Sequence, residues 1–169
     1  CPNLTDLNLS GNNFSSINLD LVPNIITLNL ADCNNLLEVD LSELTYLENA
    51  AFYINAASPS GNFTEIDVSS NLELGNLSVS NHNLSELDVS LNLNLYSLEV
   101  FMNNLVELNV FNNTLLSNLS CSFNNLSQLD LSNNSQLVNL SCSDNFISEL
   151  DVSNNTSLDY IDCHNNNLL

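Results

Sequence analysis

Lysine and arginine are both absent from this 169-residue chain, which carries 20 aspartates and glutamates and a formal net charge of −20 at pH 7. Without cationic side chains it cannot neutralise phosphates. Nucleic acid is therefore not an expected partner, nor is an anionic membrane surface. Tryptophan is missing, and glycine and proline occur only three times each, too few for a glycine-rich phosphate loop. No apolar run is long enough to cross a bilayer, so membrane insertion is not expected, and no basic segment introduces a leader. The remaining field favours a basic partner or metal cations. Disorder is excluded as well. Hydrophobic residues make up 44% of the chain and recur with a regularity that can bury a core.

That regularity is the strongest signal in the sequence. The pattern L-x-x-L-x-L-x-x-N fits Leu4, Leu7, Leu9 and Asn12, and again Leu126, Leu129, Leu131 and Asn134. Units also begin at Phe14, Ile25, Leu36 and Leu47. From Phe63 onward a longer and a shorter step alternate strictly, through Leu74, Leu84, Leu95, Leu105 and Leu116, which gives a period of 21. Two half-repeats alternate. An acidic half reads like Ser148-Glu149-Leu150-Asp151-Val152-Ser153-Asn154-Asn155, and a serine half like Val138-Asn139-Leu140-Ser141-Cys142-Ser143-Asp144-Asn145.

The wording of these units resembles bacterial surface leucine-rich repeats of the nested 21-residue class, in particular those of Bacteroidetes. The resemblance covers the whole chain. It implies an extracellular or cell-surface location and a binding role, without specifying a partner.

Elementary geometry leads to the same architecture. Each L-x-L alternation buries every second residue of a short strand, and the following asparagine turns the chain. The expected fold is a β-dominated solenoid over residues 1–169, of about 7–8 coils with two short parallel strands per coil. The chain starts inside a repeat at Leu4 and ends inside another at Leu168 and Leu169, without polar caps, as expected for part of a longer protein. The rhythm breaks once, between Leu47 and Phe63. There the extra residues, around 55–62 (Asn55-Ala56-Ala57-Ser58-Pro59-Ser60-Gly61-Asn62), predict an inserted loop.

In the acidic half, Glu38 and Asp40, Glu65 and Asp67, Glu86 and Asp88, and Glu149 and Asp151 flank an apolar residue, as do Glu107 and Asp130 in their units. Stacked coils would align them as two carboxylate columns, and like charges opposed across neighbouring strands repel. Shared occupancy by a hard cation such as Ca²⁺ is one expected relief, and salt-screened solvation is the other. No further cofactor is expected. A pair repeated in every coil lacks the singularity of a glycosidase acid and base.

Cys121, Cys142 and Cys163, spaced by 21, occupy an inward position and should form a buried column of free thiols. Cys33 stands where a turn asparagine usually falls. Neither His82 nor His164 has a nucleophile and orienting acid at a recognisable spacing, and Cys163 and His164, being adjacent, would face opposite ways. The chain is therefore not expected to be an enzyme.

The serine half offers the expected binding face, with Ser78, Ser80, Ser120, Ser122, Ser141 and Ser143 pointing outward. Tyr53, Tyr96, Phe101, Met102 and Phe123 interrupt the serines and mark a patch for a protein or glycan partner. The competing expectation is a structural spacer or filament segment that self-associates end to end. Residue variation separates the two, because a spacer should be uniform from coil to coil and a reader should vary on one face.

Overall fold

The computed structural model describes Cys1 and residues 3–55 and 60–169. Eight three-residue strands run through it: β1 (Asp6–Asn8), β2 (Thr27–Asn29), β3 (Asn49–Ala51), β4 (Asn76–Ser78), β5 (Ser97–Glu99), β6 (Asn118–Ser120), β7 (Asn139–Ser141) and β8 (Tyr160–Asp162). They form one all-parallel sheet in sequential order. Each strand is therefore one edge of one coil, and the fold is a parallel β-solenoid of about seven turns. Successive strands start at a constant spacing, except for a slightly longer step into β3 and a much longer one into β4. The longest step contains the expected inserted loop, of which residues 56–59 lie outside the described residues.

The middle residue of each strand from β1 to β7 packs into the core. The register Leu28↔Ala50↔Leu77↔Leu98↔Leu119↔Leu140 aligns six of them in a buried column. Further columns such as Leu74, Leu95, Leu116 and Leu137 are fully buried in the same way. Stacked apolar rungs give each coil the hydrophobic surface it cannot bury alone.

The second strand expected in every coil does not form among the described residues. The acidic half spends its backbone locally instead. Asp40 accepts the Ser42 N–H at 2.9 Å, Asp67 that of Ser69 at 2.9 Å, and Asp88 that of Ser90 at 2.8 Å. Asn109, Asp130 and Asp151 do the same for Phe111, Ser132 and Ser153. These turns bend the chain just after the last apolar residue. Tight turns follow, as in Asn71 N–H to Val68 O and Leu74 N–H to Asn71 O. The amides that would have paired with the next coil are consumed by these bonds.

Side-chain amides join the coils on that flank. Asn71, Asn92, Asn113, Asn134 and Asn155 are buried. Asn113 Nδ2 donates to Val89 O at 3.0 Å and to Asn92 O at 2.9 Å, both in the preceding coil. Asn92 and Asn134 repeat the pair of bonds. A second ladder runs beside the sheet. Asn124 donates to Val100 O and Cys121 O while its Oδ1 accepts the Leu105 N–H at 3.0 Å. Asn103, Asn145 and Asn166 match it.

Two substitutions in this second ladder preserve its bonding. Cys33 donates its thiol to Leu9 O at 3.3 Å. His82 accepts the Phe63 N–H on Nδ1 and donates from Nε2 to Phe52 O at 2.6 Å, which fixes its neutral tautomer. Burial lowers its pKa, against the opposing pull of the Phe52 bond. The imidazole stacks on Phe63 with ring centres 4.7 Å apart. A side chain at Gly61 would collide with that imidazole, so glycine there makes room for it.

Replacing Asn113 by alanine removes two inter-coil hydrogen bonds, leaving Val89 O and Asn92 O with only their turn amides, and should cost about 2 kcal/mol. Asn113→Asp should cost more, because a carboxylate would then face the same carbonyl oxygens. Urea unfolding midpoints measure the order. Equal losses would mean that the amide donors do not hold the coil.

Candidate partner-binding face

The flanking residues of each strand project from the sheet and give it a polar face. At the third strand position stand Asn8, Asn29, Ala51, Ser78, Glu99, Ser120, Ser141 and Asp162. Ser78 donates to Glu99 at 3.0 Å, and Asn139 Nδ2 donates to Asn118 Oδ1 at 2.7 Å.

Four of the five aromatic and methionine residues expected to form a patch lie along one edge of this sheet. Inter-coil bonds Ile54 N–H to Ser80 O, Asn81 N–H to Phe101 O and Met102 N–H to Ser122 O stack Tyr53, Ser80, Phe101 and Ser122 in a column. Met102 and Phe123 occupy the next position in consecutive coils. Tyr53 and Phe123 are exposed, and Phe101 and Met102 half-buried. Tyr96 is exposed but separate. It immediately precedes β5, at the opposite edge of the sheet.

Met102 and Phe123 carry a conformational cost. Their φ is +56°, in the series Asp32, Asn81, Met102, Phe123, Asp144 and Asn165, all between +53° and +59°. Asparagine and aspartate tolerate this left-handed turn because their short side chains bond locally. Methionine and phenylalanine have no such compensation, and at these two positions the coil turns under strain.

The serines depart from expectation. Only Ser120 and Ser141 are half-exposed, whereas Ser78, Ser80, Ser122 and Ser143 are buried. Ser80 lies between Tyr53 and Phe101 in the column, and Ser143 donates to Ser122 at 3.0 Å. Larger neighbours and mutual bonds enclose them, so the outward rows are shorter than alternation predicts.

The acidic flank lies on the turns opposite the sheet, with Glu38, Asp40, Glu65, Asp67, Glu86, Asp88, Glu149 and Asp151 all exposed. The Ser69 hydroxyl and amide lower the pKa of Asp67, while Asp40 and Asp88 push it the other way. Ser42, Ser90, Ser132 and Ser153 similarly hold Asp40, Asp88, Asp130 and Asp151 below the usual carboxylate range. These aspartates are turn formers, and Asn109 does the same work without charge. Among the described residues, no three His, Cys, Asp or Glu side chains converge in a way that could hold a metal ion.

All five cysteines are free. Cys121 and Cys142 are buried and Cys163 half-buried in successive coils. Burial, with Cys163 and Asp162 adding to it, pushes the Cys142 thiol up to about 12. His164 binds Asp162 at 2.6 Å and Asp144 at 3.3 Å in the last coil. The Asp162 hydrogen bond raises its pKa.

One cluster does not follow from the alternation pattern. At the Tyr96 edge, two open depressions of about 380 and 310 Å³ adjoin. The first is lined by Thr5, Asn24, Ile26, Tyr46, Glu48 and Glu73, and the second by Glu48, Asn49, Glu73, Gly75, Asn94 and Tyr96. Most of these residues lie in the spacer before each strand, outside the L-x-L core of the motif. The available signal is the residue after the first apolar one of each serine half, where Ile26, Glu48, Gly75 and Tyr96 succeed one another.

This geometry is that of a leucine-rich-repeat solenoid, and solved bacterial structures share it. The functional domain of InlJ from Listeria monocytogenes, which includes a cysteine ladder, is 32% identical at a TM-score of 0.76, over 98% of this chain and 40% of that one. The leucine-rich-repeat protein LIC12759 of Leptospira interrogans superposes at a TM-score of 0.84 with 21% identity, over 97% of this chain and 44% of that one. Internalin C2 of Listeria monocytogenes gives 0.81 and 21%, over 98% and 73%. The chain thus spans less than half the length of the first two. No protein-family model matches the chain, and no curated protein is similar to it.

Relief of the left-handed strain is measurable. Phe123→Asn should be more stable than Phe123→Ala by about 1 kcal/mol, because asparagine suits the turn that alanine does not. Urea denaturation compares them, and equal stabilities would remove the strain argument.

Proposed function

We propose that this chain is the recognition segment of a non-catalytic, extracellular cell-surface binding or adhesion protein, of the kind its repeat wording resembles, and that it takes a protein partner on the sheet face. One observation carries the reading. The core columns and asparagine ladders repeat coil after coil, whereas the residues just before the strands run Thr5, Ile26, Glu48, Gly75, Tyr96, Ser117, Val138 and Asp159. A spacer has no use for such variation on one edge of one face, and a reader needs it. The strained Met102 and Phe123 at the other edge add to this. Similarity over nearly the whole chain to the functional domain of InlJ, at 32% identity, supports a functional segment over a spacer.

The same reading includes no nucleic-acid partner, since the chain has no lysine or arginine. Hard cations such as Ca²⁺ enter it only as loosely shared counter-ions of the acidic flank.

Peptides selected from a random displayed library against the chain test the face. Ser120→Trp, on the sheet, should weaken their binding about tenfold or more. Gln128→Trp, on the acidic flank, should leave it within about twofold, as for a residue outside the contact. Binders that ignore Ser120→Trp would overturn the sheet-face reading. An absence of binders together with concentration-dependent end-to-end association would favour a structural segment instead.

A further inference from the structure

The two depressions at the Tyr96 edge share a wall, and Glu48 and Glu73 form it. Backbone bonds hold that wall in place. The N–H groups of Gly75 and Asn76 both donate to Glu48 O, at 2.9 and 3.0 Å, and those of Tyr96 and Ser97 both donate to Gly75 O, at 2.8 and 3.1 Å. Glu48, Gly75 and Tyr96, far apart in sequence, thereby become neighbours in consecutive coils. Asn94 Nδ2 donates to Glu73 Oε2 at 3.2 Å and steadies that carboxylate.

The absent side chain at Gly75 completes the groove. A Cβ built there would lie 2.6 Å from Tyr96 Cε1. The tyrosine ring therefore rests over the glycine, where any other residue would displace it. Tyr46 and Ile26 supply an apolar wall on the far side of the glutamates.

The groove has two carboxylates, an aromatic side chain at each end and no cation. Among the described residues, the ion pairs between side chains are those of His164, in the last coil. An anion would meet two glutamates in the field of a chain of net charge −20. A metal ion would find two acids without a third. A planar cation with several donors suits the groove better, since a guanidinium can bridge carboxylates with paired hydrogen bonds and stack on an aromatic face. Its aliphatic stem would lie along Tyr46 and Ile26.

We propose that this groove is an arginine-recognition site, in which Glu48 and Glu73 hold the guanidinium of a basic segment of the partner protein and Tyr96 stacks on it. The proposal deepens the sheet-face reading and rests on it, naming the chemistry of the partner at one edge of that face.

The probe is a fluorescent serine–glycine peptide carrying arginines, titrated by anisotropy at moderate salt beside the same peptide with neutral citrullines. The arginine peptide should bind and the citrulline peptide should not. Glu48→Gln with Glu73→Gln should weaken binding about tenfold or more, as when both acceptors of a guanidinium are lost. Tyr96→Ala should weaken it by about threefold or more. Glu86→Gln with Glu107→Gln removes the same charge from the acidic flank and should stay within about twofold. All the substituted side chains are exposed, and matching thermal melts verify the fold. Equal weakening by the two double variants would show that the peptide responds only to overall charge, and no weakening by either would show that the groove is unused. Both results overturn the proposal. If library-selected binders still fail on Ser120→Trp in those cases, the groove alone is wrong and the sheet-face reading stands.

Discussion

Buried asparagine amides hold each coil of this solenoid to the one before it. A narrow coil with a single three-residue strand leaves much of its backbone outside any sheet. Where the acidic half turns, the inward carbonyls accept amides of their own turn, and no strand links them to the next coil. The two N–H bonds of each of Asn92, Asn113 and Asn134 supply that link, as a second hydrogen bond to each carbonyl. On the other side Asn124 serves three backbone carbonyls and one backbone amide at once. Buried polar groups of this kind are costly when unpaired, which limits what these positions can hold. Histidine is accepted at position 82 because its two ring nitrogens reproduce one acceptor and one donor of the amide, and Cys33 because its thiol reproduces the donor.

That constraint divides the molecule into a repeating frame and a variable edge. The frame consists of the leucine columns, the two amide ladders and the aspartate turns. Because it carries the coil-to-coil bonding, the residues beside the strands are free to differ. The variation collects there, in a groove of glutamates and tyrosines at one edge and in Phe101, Met102 and Phe123 at the other. Two of the latter sit in a backbone conformation that suits asparagine better. Strain held at an exposed apolar residue is what a surface under selection for contact would show.

The period, the buried cysteine column and the unusual place of Cys33 were legible in the sequence because each depends on spacing alone. The second strand fails to form for a physical reason. Leu87-Asp88-Val89 alternates like a strand, but the Asp88 carboxylate captures the Ser90 amide and ends the extension. Ser80 and Ser122 were expected to face outward because alternation ignores the size of the residues stacked on either side. The groove was hidden most deeply. Ile26, Glu48, Gly75 and Tyr96 become neighbours only through a register of unequal steps, and the insertion erases the period where the groove forms.

Amide hydrogen exchange in an Asn124→Ala variant tests the central claim, that single side-chain amides tie adjacent coils. The Leu105 amide donates to Asn124 and the Leu126 amide to Asn145. If the ladder works rung by rung, Leu105 and the paired amides of β5 and β6 should lose protection about tenfold or more, while Leu126, held by Asn145, and the coils before β4 keep theirs. Unchanged protection at Leu105, or a uniform loss along the whole chain, would contradict it.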